Sequence, residues 1–281
     1  SNVDSIVIDD ILIDLTNKHK AYELAKLSLE VSEGLKPFSD LLPLLEKINS
    51  STALVDTSMG LSLVSDDLQE LYNDRNSQQG LRWRLNTLNR SLGSLRKGDF
   101  GFIFARPETG KTTFLASEIS YFAEQTKQPI LWFNNEEQGN KVQLRVYQAA
   151  CNATYTQLHS NITYYQELYN VKTNRLIKIY DSASITTNDV TKLCKDHSPG
   201  CIIFDQLDKI KGIQGDRDDL RLGQIYIWAR ELAKTYCPVI GVCQSDATGE
   251  GKRWLTMDNV ANAKTAKQAE ADWIIGIGKT H

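Results

Sequence analysis

The stretch "DFGFIFARPETGKTTFLASEI", residues 99–119, joins an apolar run to a short polar loop and an amphipathic segment. This order predicts a buried strand, a tight loop and a helix whose first backbone N–H groups point at an anion. Gly110 allows a close approach, Lys111 suits the charge of β- and γ-phosphates, and the Thr112 hydroxyl suits Mg²⁺. The stretch therefore predicts a loop that binds the phosphates of a nucleotide.

One position of this loop departs from the usual pattern, because Ala105 stands where the pattern begins with glycine. Glycine is required there only if the backbone φ angle is positive, and the last residue of a strand has a negative φ. We therefore expect Ala105 to be tolerated. A chance match is the alternative for so short a motif, and the flanking strand and helix argue against it.

The composition limits the classes of protein to consider. The chain has 281 residues, 41% of them hydrophobic, and a formal net charge of −3. This length allows one large globular domain with an extension, and the acidic balance restricts any nucleic-acid contact to a local patch. The apolar runs are shorter than the ~18 residues of a membrane span, and the acidic start has no targeting pattern. We expect no membrane partner and a cytoplasmic location.

The apolar pattern divides the chain into three parts. Residues 1–64 predict a helical N-terminal extension and linker, with two short helices around a Gly34/Pro37 break. Residues 65–79 predict a linker or docking helix. From residue 80 to 281, short apolar runs alternate with amphipathic segments, which predicts an α/β domain with a mainly parallel central sheet flanked by helices.

Three further strands end in residues that suit a nucleotide site. "CIIFDQLD" ends in Asp205, which after a phosphate loop is the expected partner of the metal and Thr112. "PILWFNNEEQ" delivers Glu136 and Glu137, either of which could polarise a water or be a solvated surface residue. "PVIGVCQSD" ends in Gln244, which is suited to sensing the γ-phosphate, or is an ordinary loop residue.

Residues 80 to 281 resemble the RecA-like motor domain of DnaB-type replicative helicases, including the phage helicase–primase and mitochondrial helicase branch. The segments that carry the resemblance are "GLRWRLNTLNRSLGSLRKGDFGFIFARPETGKTTF", "ILWFNNEEQGNKVQLRV", "IIFDQLD" and "AKTAKQAEADWIIGIGK". An Ala-Arg-Pro opening of the phosphate loop is common in that family, so Ala105 favours the resemblance. Gln268 and Asp272 match the family's last signature.

The resemblance implies ATP, or another NTP or dNTP, with Mg²⁺. It makes Lys111 a phosphate ligand, Thr112 and Asp205 the metal ligands, Glu136 the water-activating base ahead of Glu137, and Gln244 the γ-phosphate sensor. Arg145 lies where the family has an arginine, and it receives no firm role. The expected nucleotide-binding residues are Arg106, Pro107, Glu108, Thr109, Gly110, Lys111, Thr112 and Thr113.

The segment between Gln244 and Asp272 is polar and basic. In the family, loops of this region face the channel of a ring and hold single-stranded DNA, and positive charge suits contact with a DNA backbone. Trp254 is placed to stack on a base. A solvated surface is the alternative for the predicted DNA-binding residues, which are Lys252, Arg253, Lys264 and Lys267.

The resemblance implies a DNA helicase motor that hydrolyses ATP between the subunits of a homo-oligomer, most simply a hexameric ring. Phage origin, a bacterial host cytoplasm, and primase and replicative polymerase as partners belong to the same expectation. The family's basic finger has Lys279 as its nearest candidate. The alternatives are a filament-forming recombinase, another RecA-family ATPase that acts on proteins, and an assembly module that binds nucleotide without hydrolysis.

Overall fold

The computed structural model describes residues 18–19, 21–45, 67–77, 80–213, 215 and 217–279. The chain divides into two units, Ser1–Asn73 and Asp74–His281. In the first unit, helices α1 (21–32) and α2 (41–45) lie on either side of the predicted break, and α2 follows a 3₁₀ turn at Phe38–Asp40. The predicted linker between residues 46 and 64 lies outside the described residues.

The second unit is built on a sheet of six parallel strands in the order β3-β2-β4-β5-β1-β6. This observation confirms the predicted α/β fold with a parallel central sheet. The strands are β1 (Phe100–Ala105), β2 (Ile130–Asn134), β3 (Ile177–Asp181), β4 (Cys201–Asp205), β5 (Val239–Gln244) and β6 (Trp273–Ile277).

Helices connect the strands and cover both faces of the sheet. After α3 (Leu68–Ser77), which precedes the sheet in the sequence, they are α4 (Asn86–Ser91), α5 (Lys111–Ala123), α6 (Gly139–Cys151), α7 (Tyr155–Ser160), α8 (Ile162–Thr173), α9 (Thr187–His197), α10 (Asp218–Thr235) and α11 (Lys264–Glu270). Within the described ranges, no helix is long and apolar enough to cross a membrane.

The strands are apolar along their whole length because both faces of the sheet are covered. Side chains alternate between the faces, so Phe102 and Phe104 of β1 join one core with Tyr226 of α10. Ile103 points to the opposite face and joins a second core with Ile119 of α5. The two cores fix the sheet between its layers of helices and hold its carboxyl edge in place.

The register of the strands brings the predicted site residues to one edge of the sheet. Ala105 pairs with Gln244 in β5, and Asn134 of β2 pairs with Asp205 in β4. Since β5 lies between β4 and β1, Gln244 ends its strand between Asp205 and the start of the phosphate loop. The carboxyl edge of a parallel sheet is where open α/β proteins bind their ligands.

Candidate nucleotide site

The phosphate loop connects β1 to α5, and its backbone accounts for the alanine at its head. Ala105 is the last, extended residue of β1, paired on both sides within the sheet. The left-handed backbone falls later in the loop, at Glu108 with φ of 58° and at Gly110 with φ of 100°. The prediction that the first position does not need glycine is therefore confirmed, and the glycine that the loop does need is Gly110.

The first turn of α5 places its two polar side chains against the end of β4. The Thr112 hydroxyl donates to Asp205 Oδ2 at 3.3 Å, and Lys111 Nζ donates to the Arg106 carbonyl at 3.3 Å. Lys111, Thr112 and Asp205 are all buried. A buried lysine, hydroxyl and carboxylate thus meet at the start of a helix, where the backbone also favours an anion.

The charge state of Asp205 shows that this group of side chains is short of positive charge. Burial, and then the nearby charge of Glu136, raise the pKa of Asp205 to about 6. Its second carboxylate oxygen, Oδ1, is buried and has no hydrogen-bond partner among the described residues. A carboxylate and a hydroxyl are oxygen ligands of the kind that Mg²⁺ prefers. The residues therefore fit a bound magnesium ion beside a phosphate.

The two glutamates after β2 line the same cavity, and different partners hold them. Gln206 Nε2 donates to Glu136 Oε2 at 2.7 Å, whereas Arg145 donates to Glu137 Oε2 at 2.6 Å. The cavity has a volume of about 360 Å³ and is lined by Glu108, Gly110, Lys111, Thr112, Thr113, Glu136, Glu137 and Arg145. A neutral amide thus holds one glutamate, and a guanidinium neutralises the other.

The turn that carries these glutamates is fixed by its neighbours. Asn134 Nδ2 donates to the Glu137 carbonyl at 2.6 Å and to Asp181 Oδ1 at 2.9 Å. The other oxygen of Asp181 accepts from the backbone N–H of Gly139, at the start of α6, at 2.7 Å. Bonds of this kind reduce the number of conformations open to the turn, so both glutamates approach the phosphate loop from a defined position.

Gln206 is the residue of this site that the sequence interpretation missed. It follows Asp205 directly, is 2% exposed and has a φ of 74°. Its partner Glu136 lies 70 positions away in the sequence. The one signal available was its place next to a strand-end aspartate that was already assigned to the site.

The predicted nucleotide-binding residues are divided between two cavities. Gly110, Lys111, Thr112 and Thr113 line the cavity described above. A second cavity of about 250 Å³ is lined by Arg106, Pro107, Glu108, Thr109, Gly249, Glu250, Gly251, Ile277, Gly278 and Lys279. Lys279, the candidate basic finger, therefore lies beside the phosphate loop of its own chain.

Arg106 links the phosphate loop to the segment that follows β5. Its guanidinium donates to the Ser245 carbonyl at 3.2 Å and pairs with Glu250 at 3.3 Å. The amide of Ala261, further along that segment, donates to the Gln244 carbonyl at 3.0 Å. The segment is thus attached at both of its ends to the edge of the sheet that carries the site.

The cationic side chains of this segment are exposed. We call residues 246–263 the basic loop. Lys252 and Arg253 are exposed, Arg253 lies over the ring of Trp254, and Trp254 is 77% exposed. Lys264, the first residue of α11, is also exposed and pairs with Asp246 at 2.9 Å.

The prediction that Lys267 contacts DNA is wrong. Its side chain is 0% exposed, and Nζ donates to Asp208 Oδ2 at 2.6 Å and to the Ala261 carbonyl at 2.9 Å. Nζ also lies 5.3 Å from the ring centre of Tyr226. A long cationic side chain is buried when a carboxylate compensates its charge, so Lys267 attaches α11 to the residues that follow β4.

The two residues of the family's last signature also have structural partners. Gln268 Nε2 donates to the Met257 carbonyl in the basic loop at 3.0 Å. Asp272 pairs with Arg230 and accepts from the backbone N–H of Phe100 at 2.9 Å. Both side chains therefore connect the last part of the chain to the sheet and the basic loop.

The fold and the site together define a RecA-like phosphate-loop domain. A central parallel sheet carries the loop after β1, an acid after β4 and glutamates after β2. Residues 72–250 match the model of the AAA domain family, and the chain belongs to that family. Nucleotide binding is what this membership implies, and the contacts of Lys111, Thr112 and Asp205 agree with it.

Known proteins narrow the likeness to one type of motor domain. Over 189 residues the chain is 25% identical to the replicative DNA helicase DnaB of Buchnera aphidicola subsp. Baizongia pistaciae (strain Bp), covering 62% of this chain and 41% of that protein. The chain thus spans about two fifths of the length of the curated relative that it matches. The resemblance to DnaB-type motor domains is confirmed.

Solved structures share the fold at lower identity. An ATPase domain that was solved by itself superposes with a TM-score of 0.64 at 17% identity, covering 76% of this chain and 84% of that one. A DnaB-like replicative helicase, solved in a study of its interactions with primase, superposes with a TM-score of 0.67 at 18% identity, covering 92% of this chain and 64% of that one. These likenesses establish the fold.

Proposed function

We propose that the chain is the ATP-hydrolysing motor of a replicative DNA helicase and that it moves on single-stranded DNA. The observation that carries the proposal is the buried contact between Thr112 and Asp205 beside Lys111, in which Asp205 keeps an oxygen without a partner among the described residues. This arrangement suits a magnesium ion and a triphosphate. ATP, or another NTP or dNTP, is the substrate.

Each residue of the phosphate loop has a defined task in this proposal. Thr112 and Asp205 would hold Mg²⁺, which neutralises phosphate charge when it is bound. Lys111 places a positive charge beside the transferred phosphate, and Gly110 brings the backbone close to it. The buried position of Lys111 excludes water around its ammonium group, which strengthens its interaction with an anion.

The proposal assigns the base to Glu136 rather than Glu137. The ion pair with Arg145 at 2.6 Å neutralises Glu137 and occupies its oxygen. Glu136 accepts only a neutral amide bond among the described side chains, so it keeps its negative charge for a water molecule. A general base has to reach the proton that it accepts, and Glu136 lies in the cavity that contains Lys111 and Thr112.

The basic loop supplies the proposed contact with DNA. Lys252 and Arg253 are exposed cations on a loop that is attached to Gln244 and to the phosphate loop. Cations suit a phosphate backbone of any sequence, and an exposed tryptophan can stack on any base. The attachment at both ends is the route by which a change at the γ-phosphate would reach the DNA. Lys264 contributes in this proposal only after it leaves Asp246.

Assembly into a homo-oligomer, proposed as a hexameric ring, agrees with the surface of the motor unit. A groove of α6–α8 with an apolar lining is flanked by exposed apolar side chains, which are Tyr155, Ile162, Tyr164 and Val171. Exposed apolar groups that cluster in this way are typical of interfaces between proteins. Primase is a proposed partner because the DnaB-like relative was solved with a view to that interaction; a replicative polymerase, a phage origin and a bacterial cytoplasm complete the proposal.

Binding measurements test this function in two independent parts. Fluorescent ATP with and without Mg²⁺ tests the nucleotide site, and Lys111→Ala is the control. Labelled oligothymidine at rising salt tests the basic loop. We expect magnesium-dependent binding that the variant loses, and DNA binding that weakens with salt. A chain that binds neither ligand would contradict the proposal.

A further inference from the structure

Gln206 adopts a backbone conformation that most residues avoid. Its φ of 74° lies in the left-handed region, where side chains other than glycine are unfavourable. It directly follows Asp205, and its side chain is almost completely buried. Strained residues of this kind persist where the surrounding structure holds them, and they are concentrated at functional sites. The strain alone does not say what Gln206 does.

The contacts of Gln206 give the answer, because they lead to the turn after β2. Its Nε2 donates to Glu136 Oε2 at 2.7 Å, and its carbonyl oxygen accepts from Asn135 Nδ2 at 3.2 Å. One residue thus holds both Asn135 and Glu136. The bond to Glu136 connects the ends of β2 and β4 at the mouth of the cavity that contains Lys111.

We propose that Gln206 is a positioning residue that holds the Glu136 carboxylate in place for the attacking water. This inference rests on the proposed function, since it concerns the base of the same reaction. Gln206 touches the base and not the reacting atoms. Its effect is to reduce the number of positions that the exposed Glu136 side chain can take, which lowers the cost of reaching the reactive geometry.

The chemistry of an amide suits this position better than that of a charged residue. The Nε2 group donates a hydrogen bond but carries no charge, so Glu136 keeps its full negative charge. A lysine or arginine would form an ion pair, as Arg145 does with Glu137. A cation there would also compete with the metal for the buried carboxylate of Asp205. The neutral donor therefore separates the two glutamates into a held base and a neutralised neighbour.

Two substitutions at one position separate the amide from the backbone strain. Gln206→Met keeps the length of the side chain and removes the donor, whereas Gln206→Gly removes the donor and relieves the left-handed strain. We expect both to lower kcat for Mg·ATP hydrolysis about tenfold or more, with KM within about twofold of the unchanged chain. In a Glu136→Gln background, Gln206→Met should cause no further loss, because its effect passes through Glu136.

Several results would overturn the inference. Either variant keeping the kcat of the unchanged chain would do so, as would an equal loss from Gln206→Met with and without Glu136. If the unchanged chain neither binds nor hydrolyses Mg·ATP, the proposed function has failed, and crystal structures of the unchanged chain and the Gln206→Met variant decide the inference. A displaced or disordered Glu136 carboxylate in the variant would support it, and an unmoved carboxylate would contradict it.

Discussion

The nucleotide site and the basic loop lie at the same edge of the sheet, yet they are built in opposite ways. Lys111, Thr112 and Asp205 are buried and held by each other and by the loop backbone. Lys252 and Arg253 are exposed, and Trp254 beside them is 77% exposed. The difference indicates that the site is ordered before a ligand arrives, whereas the basic loop acts through charge that is open to solvent.

The two kinds of construction should respond to different perturbations. Substitutions in the site should change the rate of chemistry and the coupling to pH, because buried groups interact strongly and through fixed geometry. Substitutions in the basic loop should change affinity and its dependence on salt, because exposed charges are screened. A result that reversed these responses would show that the contrast is wrong.

The largest expected effect separates the two glutamates. Glu136→Gln should lower turnover of ATP by about 10³-fold, because the side chain can no longer accept a proton from water. Glu137→Gln is the matched control, with the same chemistry at the next position, and it should lower turnover less than about tenfold. Phosphate release under saturating Mg·ATP measures both variants. Equal losses would remove the distinction drawn from Gln206 and Arg145.

The next effect tests the exposed side of the comparison. The double variant Lys252→Ala, Arg253→Ala should bind single-stranded DNA roughly tenfold more weakly at moderate salt and lower the slope of log affinity against log salt by about 1.4. Lys195→Ala, an exposed lysine on α9, is the control and should leave both quantities unchanged. Anisotropy of a labelled oligothymidine measures the slope. An unchanged slope in the double variant would remove the basic loop from DNA binding.

A smaller effect concerns the buried charge of Asp205. Because its pKa in the folded chain is about 6, above its ordinary 3.8, the free energy of unfolding decreases as the pH rises from about 4 through 6. Asp205→Asn, which cannot ionise, should therefore be more stable than the unchanged chain by on the order of 2 kcal/mol at pH 8. The gain should disappear below about pH 4, where both side chains are neutral.

Urea unfolding without nucleotide at pH 4 and pH 8 measures this difference. The same variant should lose the magnesium dependence of nucleotide binding, so that stability and function change in opposite directions. A variant that is less stable at both pH values would show that Asp205 is held by its contacts rather than strained by its charge.

The smallest effect concerns the backbone of the phosphate loop. Gly110→Ala meets no other atom within 4 Å, so its cost is only that of the left-handed φ of 100°. We expect the free energy of unfolding to fall by about 1–2 kcal/mol. Thermal denaturation measures the change, with Ala105→Gly as the control in which a strand residue gains only freedom. Equal stability of the Gly110 variant and the unchanged chain would mean that the loop adopts another backbone conformation.

Much of the fold was predictable because its signals are local. The alternation of apolar runs and amphipathic segments predicted the parallel sheet, since strands that are covered on both faces contain few polar residues. The phosphate loop was equally local, and the extended conformation of Ala105 followed from its place at a strand end. Asp205 and the two glutamates were expected at the carboxyl edge for the same reason, although their roles remain predictions.

The misses depended on partners that are distant in the sequence. A lysine in a short polar helix predicts exposure, and nothing near Lys267 indicates that Asp208, 59 positions earlier, neutralises it in a buried pair. Gln206 was missed because its left-handed backbone falls on a residue that is not glycine. Sequence patterns identify the strand ends, but contacts between those ends appear only once the sheet order is known.

Phosphate release from Mg·ATP, with and without single-stranded DNA, tests the central claim most directly. The account predicts release by the unchanged chain that DNA stimulates, and loss of that release in Lys111→Ala, whose buried ammonium lies in the site. The Lys252, Arg253 double variant should keep the basal rate and lose the stimulation. Binding of Mg·ATP with no release, with or without DNA, would contradict the claim that this chain is a motor.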